Sequence, residues 1–469
     1  MHRTKIVSTI GPVSDSEEVM AALMKAGADV FRFNMKHGDV AWHEERIKRA
    51  QKVADELGRA IGILIDLQGP EIRIETLDKE PMQLEKDEEV ILATDFVEGK
   101  KTIRVADEGV INALSVGDEV LIDDGFMEFD VIGEAESGLR MRARANYTVT
   151  HRKGMNLPGI KLDLASLIDD DLKKLDMASR EHVDFVALSF VRDAEDIRIL
   201  REEMKRRSID AHVVAKVENA AALENIDEII ESSDSIMIAR GDLGIEVPYE
   251  ELAYWQKKLI YKCRRAEKPV ITATQMLQSM VDSPRPTRAE VTDVANAVFD
   301  GSDAVMLSGE TAQGKYPAGA VAAMRRIVEF NEDKVILPPL SDLGTLDQTE
   351  AITHAAMNLV SQNTDYDIAG IVVFTETGNT ARALSRFRPG VPLIALTQDE
   401  KVRDELMLAY GVSPILTEFP EGDIISVDPV IEHLKEQGVV KTGQRLLFVH
   451  GHRWSEPGLT NTLALKEVK

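Results

Sequence analysis

From residue 4 to about 330, short runs rich in β-branched residues alternate with longer stretches whose apolar positions recur at helical spacing. That alternation predicts parallel strands joined by crossover helices. The strands expected are Lys5–Ser8, Val30–Asn34, Gly62–Asp66, Phe185–Ser189, His212–Lys216, Ser235–Ala239, Val270–Ala273 and Ala304–Leu307. Each is followed by a stretch of helical period, as in Ser16–Ala26, Trp42–Leu57 and Glu250–Glu267. Repetition of strand then helix to this number argues for a closed (β/α)8 TIM barrel, occupying 1–74 and 159–335.

Between the third and fourth of these strands the period changes to two. Residues 75–158 carry alternating runs such as EEVILAT and EVLI, separated by the turn clusters SVGDEV, IDDGF and KGMNLPG. An inserted all-β lid, in the form of a small β-barrel, is expected there. Being inserted in a loop after a strand, it sits at the C-terminal face, where barrel active sites lie. After residue 331 a Pro- and Asp-containing stretch breaks the pattern, and a C-terminal α/β regulatory domain is expected over 348–469. Its elements read helix Glu350–Gln362, strand Gly370–Phe374, helix Thr380–Arg386, strand Pro392–Leu396, helices Lys401–Tyr410 and Val430–Gln437, then a strand pair near Leu446–Val449 and Thr462–Lys466.

Composition narrows the function classes. Asp and Glu outnumber Lys and Arg by 81 to 56, a net charge of −25, which repels nucleic acid and anionic lipid at long range. Neither is expected as a partner. No run approaches the roughly 18 apolar residues of a membrane helix, and MHRTKIVSTIGP has no apolar leader core, so a cytoplasmic location is expected. The single cysteine, Cys263, excludes an internal disulfide and a cysteine-rich metal cluster. In so acidic a chain a phosphate ligand must be drawn by local charge, and a metal-dependent site suits that background.

Polar residues gather where the barrel strands end. Arg32, Asn34, Lys36 and His37 follow the second strand, Asp66 and Glu71–Arg73 the third, Lys216 and Glu218 the fifth, Arg240 and Asp242 the sixth, and Thr274 and Gln275 the seventh. Glu218 and Asp242 stand beyond adjacent strands, so their carboxylates can share one hard divalent cation, Mg2+ or Mn2+; two solvated loop acids are the alternative. Lys216 points into the barrel mouth, where it can neutralise a phosphoryl group in transfer. Arg32 and Arg73 offer guanidinium forks to phosphate oxygens, or to structural carboxylates. ARGDLG, at Ala239–Gly244, places small residues where a helix can begin and backbone N–H groups can hold a carboxylate. Neither a Walker GxxxxGK[ST] loop nor a protein-kinase Gly-rich or HRD segment is present, so the phosphate site belongs to another class.

The motifs VSTIGP, FRFN with HG, GPEIR, KGMNLPG, AKVEN, IARGDLGIEVP, ATQMLQSM, the run from Arg285 to Pro317 and TGNTARALSRFRP stand in this order along essentially the whole chain. In this the chain resembles the pyruvate kinases. The resemblance implies transfer of a phosphoryl group from phosphoenolpyruvate to ADP, giving pyruvate and ATP, by a Mg2+-dependent homotetramer. It implies that Lys216 stabilises the phosphoryl group and that Glu218 and Asp242 bind the divalent ion. Gly241 and Asp242, through their backbone, and Thr274 would hold the substrate carboxylate, with Arg32 on the phosphate. Asn34, His37, Arg73 and the lid residue Lys153 would contact nucleotide. Thr274, through an ordered water, is the candidate proton donor to enolpyruvate.

Two segments depart from that pattern. The family's Asn-Phe-Ser-His-Gly reads Asn34, Met35, Lys36, His37, Gly38, and its Asp-Thr-Lys-Gly-Pro-Glu reads Asp66, Leu67, Gln68, Gly69, Pro70, Glu71. Lys36 thus falls among the ligands of the family's K+ ion, beside Asn34 and Asp66. The expectation is that its ammonium replaces K+ and pairs with Asp66, making K+ unnecessary. The alternatives are a lysine turned to solvent beside an ordinary K+ site, or a weakened enzyme. Thr375, Thr377, Gly378, Asn379 and Thr380 resemble the family loop that receives a phosphorylated effector, although Glu376 and Glu418 place negative charge nearby; an ordinary strand-to-helix turn is the alternative. Two other function classes are a non-catalytic regulatory barrel and a barrel enzyme of carbon–carbon bond chemistry. Retention of the polar barrel mouth argues against the first, and Lys153 on the lid against the second.

Overall fold

The structure, a computed structural model, describes every residue except 1, 163, 341–342, 344–346, 362–366, 419–425 and 454–459. Its centre is a closed parallel barrel in which each strand pairs with the next and the last, Ala304–Leu307, returns to the first, Lys5–Thr9. Between them, in chain order, run Val30–Asn34, Gly62–Asp66, Phe185–Leu188, His212–Val217, Ser235–Ala239 and Val270–Ala273. All the strands expected from the sequence form, within a residue at their ends. The reason is legible in burial: these strands are covered on both faces, so they are apolar almost throughout. The crossover helices begin where the local chemistry starts them. Ser16 accepts the Val19 N–H ahead of Glu17–Ala26, and Asp39 accepts that of Trp42 ahead of Val40–Leu57.

The insert between the third and fourth strands is a sheet domain. Among the described residues its strands do not form the closed small barrel expected, but a seven-stranded sheet and a separate two-stranded pair. One short helix, Glu108–Ala113, joins its strands, started by the Asp107 carboxylate on the Gly109 N–H. The third unit is a five-stranded sheet flanked by helices. The helix expected over Glu350–Gln362 runs Gln348–Ser361, and Gln362 lies outside the described residues. One strand there, Val412–Leu416, escapes the sequence reading because Pro414 interrupts it. Proline is tolerated only at sheet edges, and this strand is an edge.

The C-terminal unit closes the barrel floor. Met407 and Leu408, on the 3-10 turn Leu406–Leu408, join the apolar layer of Val7, Val30, Leu64 and Phe185 inside the barrel. Around this plug the seam is polar. The Lys5 ammonium donates to the Val412 carbonyl at 2.7 Å, and His182 lies 3.0 Å from Asp184 and 3.5 Å from Asp404. Hydrogen bonds to those two carboxylates pull the His182 imidazole up to about 10, so it is cationic at neutral pH and bridges the two units. Truncating the plug, Leu408→Ala, is expected to cost about 3 kcal/mol of stability, read by urea denaturation, because a fully buried leucine leaves a cavity on a rigid floor.

Candidate active site

Five strand ends build the cleft. The strand Val30–Asn34 delivers Arg32 and Asn34, Gly62–Asp66 delivers Asp66, His212–Val217 delivers Lys216 and then Glu218, and the helix Arg240–Glu246 carries Asp242 in its first turn. The fifth is the end of Phe185–Leu188, where Ser189 lines the cavity; the strand Val270–Ala273 leads to Thr274, which is not among the lining residues, nor are Gly241, His37, Arg73 and Lys153. Arg32, Asn34, Lys36, Lys216, Glu218 and Asp242 all line one cavity of about 950 Å3 between barrel and lid, the size that metabolite sites occupy.

Lys216 is the hub. Its Nζ lies 2.8 Å from Glu218, 3.2 Å from Asp66 and 2.7 Å from the Ser189 hydroxyl. Burial alone would lower its pKa, but the Asp66 and Glu218 charges outweigh burial and hold the ammonium above its ordinary value. Asp66 is 1% exposed and also accepts Arg32 Nε at 2.7 Å. Burial pushes its carboxyl up, and the opposing Lys216 and Arg32 charges bring it below the usual carboxylate range. Asp242 is the opposite case: burial first, and then the Glu218 charge, push it up to about 7.

That last shift tests the fit of a metal. Two carboxylates repelling each other in one buried cleft are a hard-oxygen donor set short of positive charge, which is what a divalent ion supplies.

Thr274 and Gln275 have φ of 71° and 54°, a left-handed backbone that costs a β-branched residue free energy and marks functional sites. Arg240 holds it: Nη2 donates to the Thr274 carbonyl at 2.9 Å, while the same guanidinium grips Asp293 at 2.7 Å on both oxygens. The Thr274 hydroxyl accepts the Gly241 N–H at 2.7 Å and donates to the Ala273 carbonyl at 2.7 Å, so its proton is directed at backbone.

Lys36 stands elsewhere than expected. Its Nζ lies 3.0 Å from Glu71, with Asn34 Oδ1 accepting the Lys36 backbone N–H at 3.2 Å. The expected pairing with Asp66 is not formed, because Arg32 and Lys216 already occupy that buried carboxylate. Glu71 also accepts Arg73 at 2.9 Å. Lys153 is held within the lid, 2.6 Å from Asp123. At His37 burial, followed by the Lys36, Arg32 and Arg73 charges, lowers the imidazole pKa.

Two contributors were not singled out from sequence. Ser189 closes the fourth strand and joins Lys216 to the Leu67 carbonyl, which its hydroxyl reaches at 2.7 Å. The Asp171 carboxylate accepts the Gln68 and Gly69 N–H groups at 2.9 and 3.2 Å and so shapes the loop after the third strand. A serine at a barrel strand end was a usable signal; Asp171, in a helix about 100 residues downstream, gave none.

In the C-terminal unit, Gly378 has a φ of 76°, and Arg382 Nη2 donates to the Thr377 carbonyl at 2.8 Å and to Asn379 Oδ1 at 2.7 Å. Thr375 is buried, and Thr380 bonds Thr460 at 2.8 Å.

A closed barrel with cations and paired carboxylates at its mouth is a TIM-barrel enzyme site suited to phosphate chemistry. Family models place it further. The pyruvate kinase barrel domain matches residues 1–321, and the pyruvate kinase alpha/beta domain matches 350–465. The pyruvate kinase of Staphylococcus epidermidis is 39% identical over 474 residues, covering 100% of this chain and 81% of its own. That of Bacillus licheniformis is 40% identical over 480 residues, with the same coverage. A crystal structure of a pyruvate kinase from Cryptosporidium parvum superposes with a TM-score of 0.90 at 33% identity, covering 100% of this chain and 96% of that one. The chain belongs to the pyruvate kinase family. It is a phosphotransferase that converts phosphoenolpyruvate and ADP to pyruvate and ATP. No described helix is long and apolar enough to cross a membrane.

Proposed function

We propose that the cleft carries out this transfer with Mg2+, or Mn2+, at Glu218 and Asp242 and without K+. The observation that carries the reading is the set of charges around Lys216. One ammonium, held charged between Asp66 and Glu218, faces the cavity that Arg32 and Asp242 also line.

A divalent ion on Glu218 and Asp242 would supply Lewis-acid charge to phosphoryl and carboxylate oxygens. With Glu218 so engaged, Lys216 turns its ammonium to the phosphoryl oxygens. Arg32, fixed by Asp66 at Nε and by the Thr9 hydroxyl at Nη1, 2.9 Å away, holds the phosphate from the other side. The bond from phosphorus to the enol oxygen breaks as one forms to a β-phosphate oxygen of ADP, and the enolate is then protonated at carbon. Thr274 and the amides of Gly241 and Asp242 receive the substrate carboxylate, Thr274 exchanging its present bond to Gly241 for the ligand. Asn34, His37 and Arg73 face the nucleotide phosphates, and Lys153 joins them when the lid closes.

Lys36 supplies the monovalent charge. Its ammonium sits on the cleft wall, fixed by Glu71, and its backbone N–H engages Asn34 Oδ1. With Asp66 also engaged, both residues of the expected K+ position already have cationic or N–H partners.

The domains are assigned as 1–74 with 159–335, 75–158 and 348–469. A cytoplasmic homotetramer is proposed from the family, as is a phosphorylated effector at Thr375–Thr380. Pyruvate formation from phosphoenolpyruvate and ADP tests the core reading. Chelation of divalent ions is expected to abolish it and Mg2+ or Mn2+ to restore it; activity that survives chelation would remove Glu218 and Asp242 from metal binding.

A further inference from the structure

On the far side of the molecule from the cleft, where the barrel floor meets the C-terminal unit, is a second and much smaller recess. It is lined by five cationic side chains, Arg264, Lys268, Arg382, Arg386 and Arg388, against two carboxylates, Glu267 and Asp303. In a chain with a net charge of −25 such a concentration of buried cations needs a reason.

Most of these cations have partners. Arg388 lies 2.6 Å from Asp303 and donates to the Gly301 carbonyl at 2.7 Å. Lys268 donates to the Ser233 carbonyl at 2.6 Å, and Arg264 Nε to the Arg386 carbonyl at 3.2 Å. Arg386 is different. It is 3% exposed, its Nη1 lies 2.6 Å from Glu267 and 3.5 Å from Glu350, and its Nε and Nη2 have no hydrogen-bond partner among the described residues. Those two atoms form one edge of the guanidinium, the edge that grips anions side-on. Arg382 adds a third buried donor of the same kind, Nη1, while its Nη2 holds the loop at Thr377 and Asn379.

Buried N–H groups left unpaired are costly and therefore rare. Like charge adds to that cost. Burial first, and then the Arg388 charge, pull the Arg264 guanidinium down to about 10, and burial lowers Lys268 and Arg382 as well. A negative charge in the recess removes both penalties. Its space is about 10 Å3, room for one water-sized group and too little for a tetrahedral oxyanion. Water fits by size but brings no charge.

We propose that this recess is a binding site for a single halide-sized inorganic anion, chloride in solution, which offsets the cationic charge where the C-terminal unit meets the barrel floor. The anion accepts from Arg386 Nε and Nη2 and from Arg382 Nη1. Nothing in the phosphotransfer cleft takes part.

Crystals soaked in bromide provide the direct test, with an anomalous peak expected between Arg382 and Arg386. In solution, the thermal midpoint in chloride is expected to exceed that in gluconate, at equal ionic strength, by about 2 °C. The increment is expected to vanish in Arg386→Lys, which keeps a cation for Glu267 but removes the free edge. Arg382→Gln gives the same reading if the first variant does not fold. Absence of a bromide peak, an increment of equal size in the native protein and in a folded variant, or a response to phosphate and not to chloride would each overturn the site.

Discussion

Replacing Lys216 by methionine is expected to lower kcat about a thousandfold with little change in KM for phosphoenolpyruvate. Charge developing on the transferring phosphoryl group is the quantity that a preorganised cation stabilises, and loss of one such donor costs about 10²- to 10³-fold. The upper end is expected because this ammonium is buried and carries no bulk-water competition. A thousandfold is about 4 kcal/mol of transition-state stabilisation. The same substitution leaves Asp66 and Glu218 facing each other with less compensation, so a stability loss accompanies it, of the few kcal/mol typical of a broken buried pair. Arg32 still reaches Asp66 at 2.7 Å, which limits that loss and keeps the barrel folded. Steady-state kinetics beside a thermal melt separate the two effects. A folded Lys216→Met protein with kcat within tenfold of the native value would show that the ammonium is structural.

The barrel was legible because doubly covered strands are short, apolar and β-branched, and each is followed by a helical stretch except at the one insertion after the third strand. The C-terminal plug was not, since Met407 and Leu408 look like the end of an ordinary amphipathic helix, and only the tertiary fold reveals that they cap a neighbouring layer. Polar residues at strand ends were the legible signal of a cleft, and Arg32, Lys216, Glu218 and Asp242 line one cavity together. Pairing within the cleft was beyond spacing arguments. Strand order puts Asp66 within reach of Lys36, Arg32 and Lys216 alike, and which cation wins is decided by burial. The inward-facing Arg32 and Lys216 reach a carboxylate that is 1% exposed, whereas Lys36 stands past the strand end, at the rim, where Glu71 is the available partner. The support of Thr274 by Arg240, itself held by Asp293, was likewise invisible, because Asp293 lies 53 residues from Arg240 and meets it only in the fold.

Lys36 gives the second large expected effect. The native protein should form pyruvate at the same rate whether K+ or only a bulky quaternary ammonium ion accompanies Mg2+. Lys36→Ser combined with Leu67→Thr should then lose about a hundredfold in the absence of K+ and recover on its addition, the loss of one cation near transferring phosphate being worth about that much. The geometry gives the reason. Lys36 Nζ is fixed 3.0 Å from Glu71, on a carboxylate that Arg73 shares at 2.9 Å, so its charge is held at the cleft wall without a free ion. Glu71→Gln supplies the control that a merely solvent-facing lysine would not pass. With the anchor neutralised, the ammonium is free to swing away, and a partial K+ response should appear although Lys36 itself is intact. If the native protein requires K+, or if Glu71→Gln and the double variant both remain indifferent to it, Lys36 is a rim ion pair and the monovalent charge has another source.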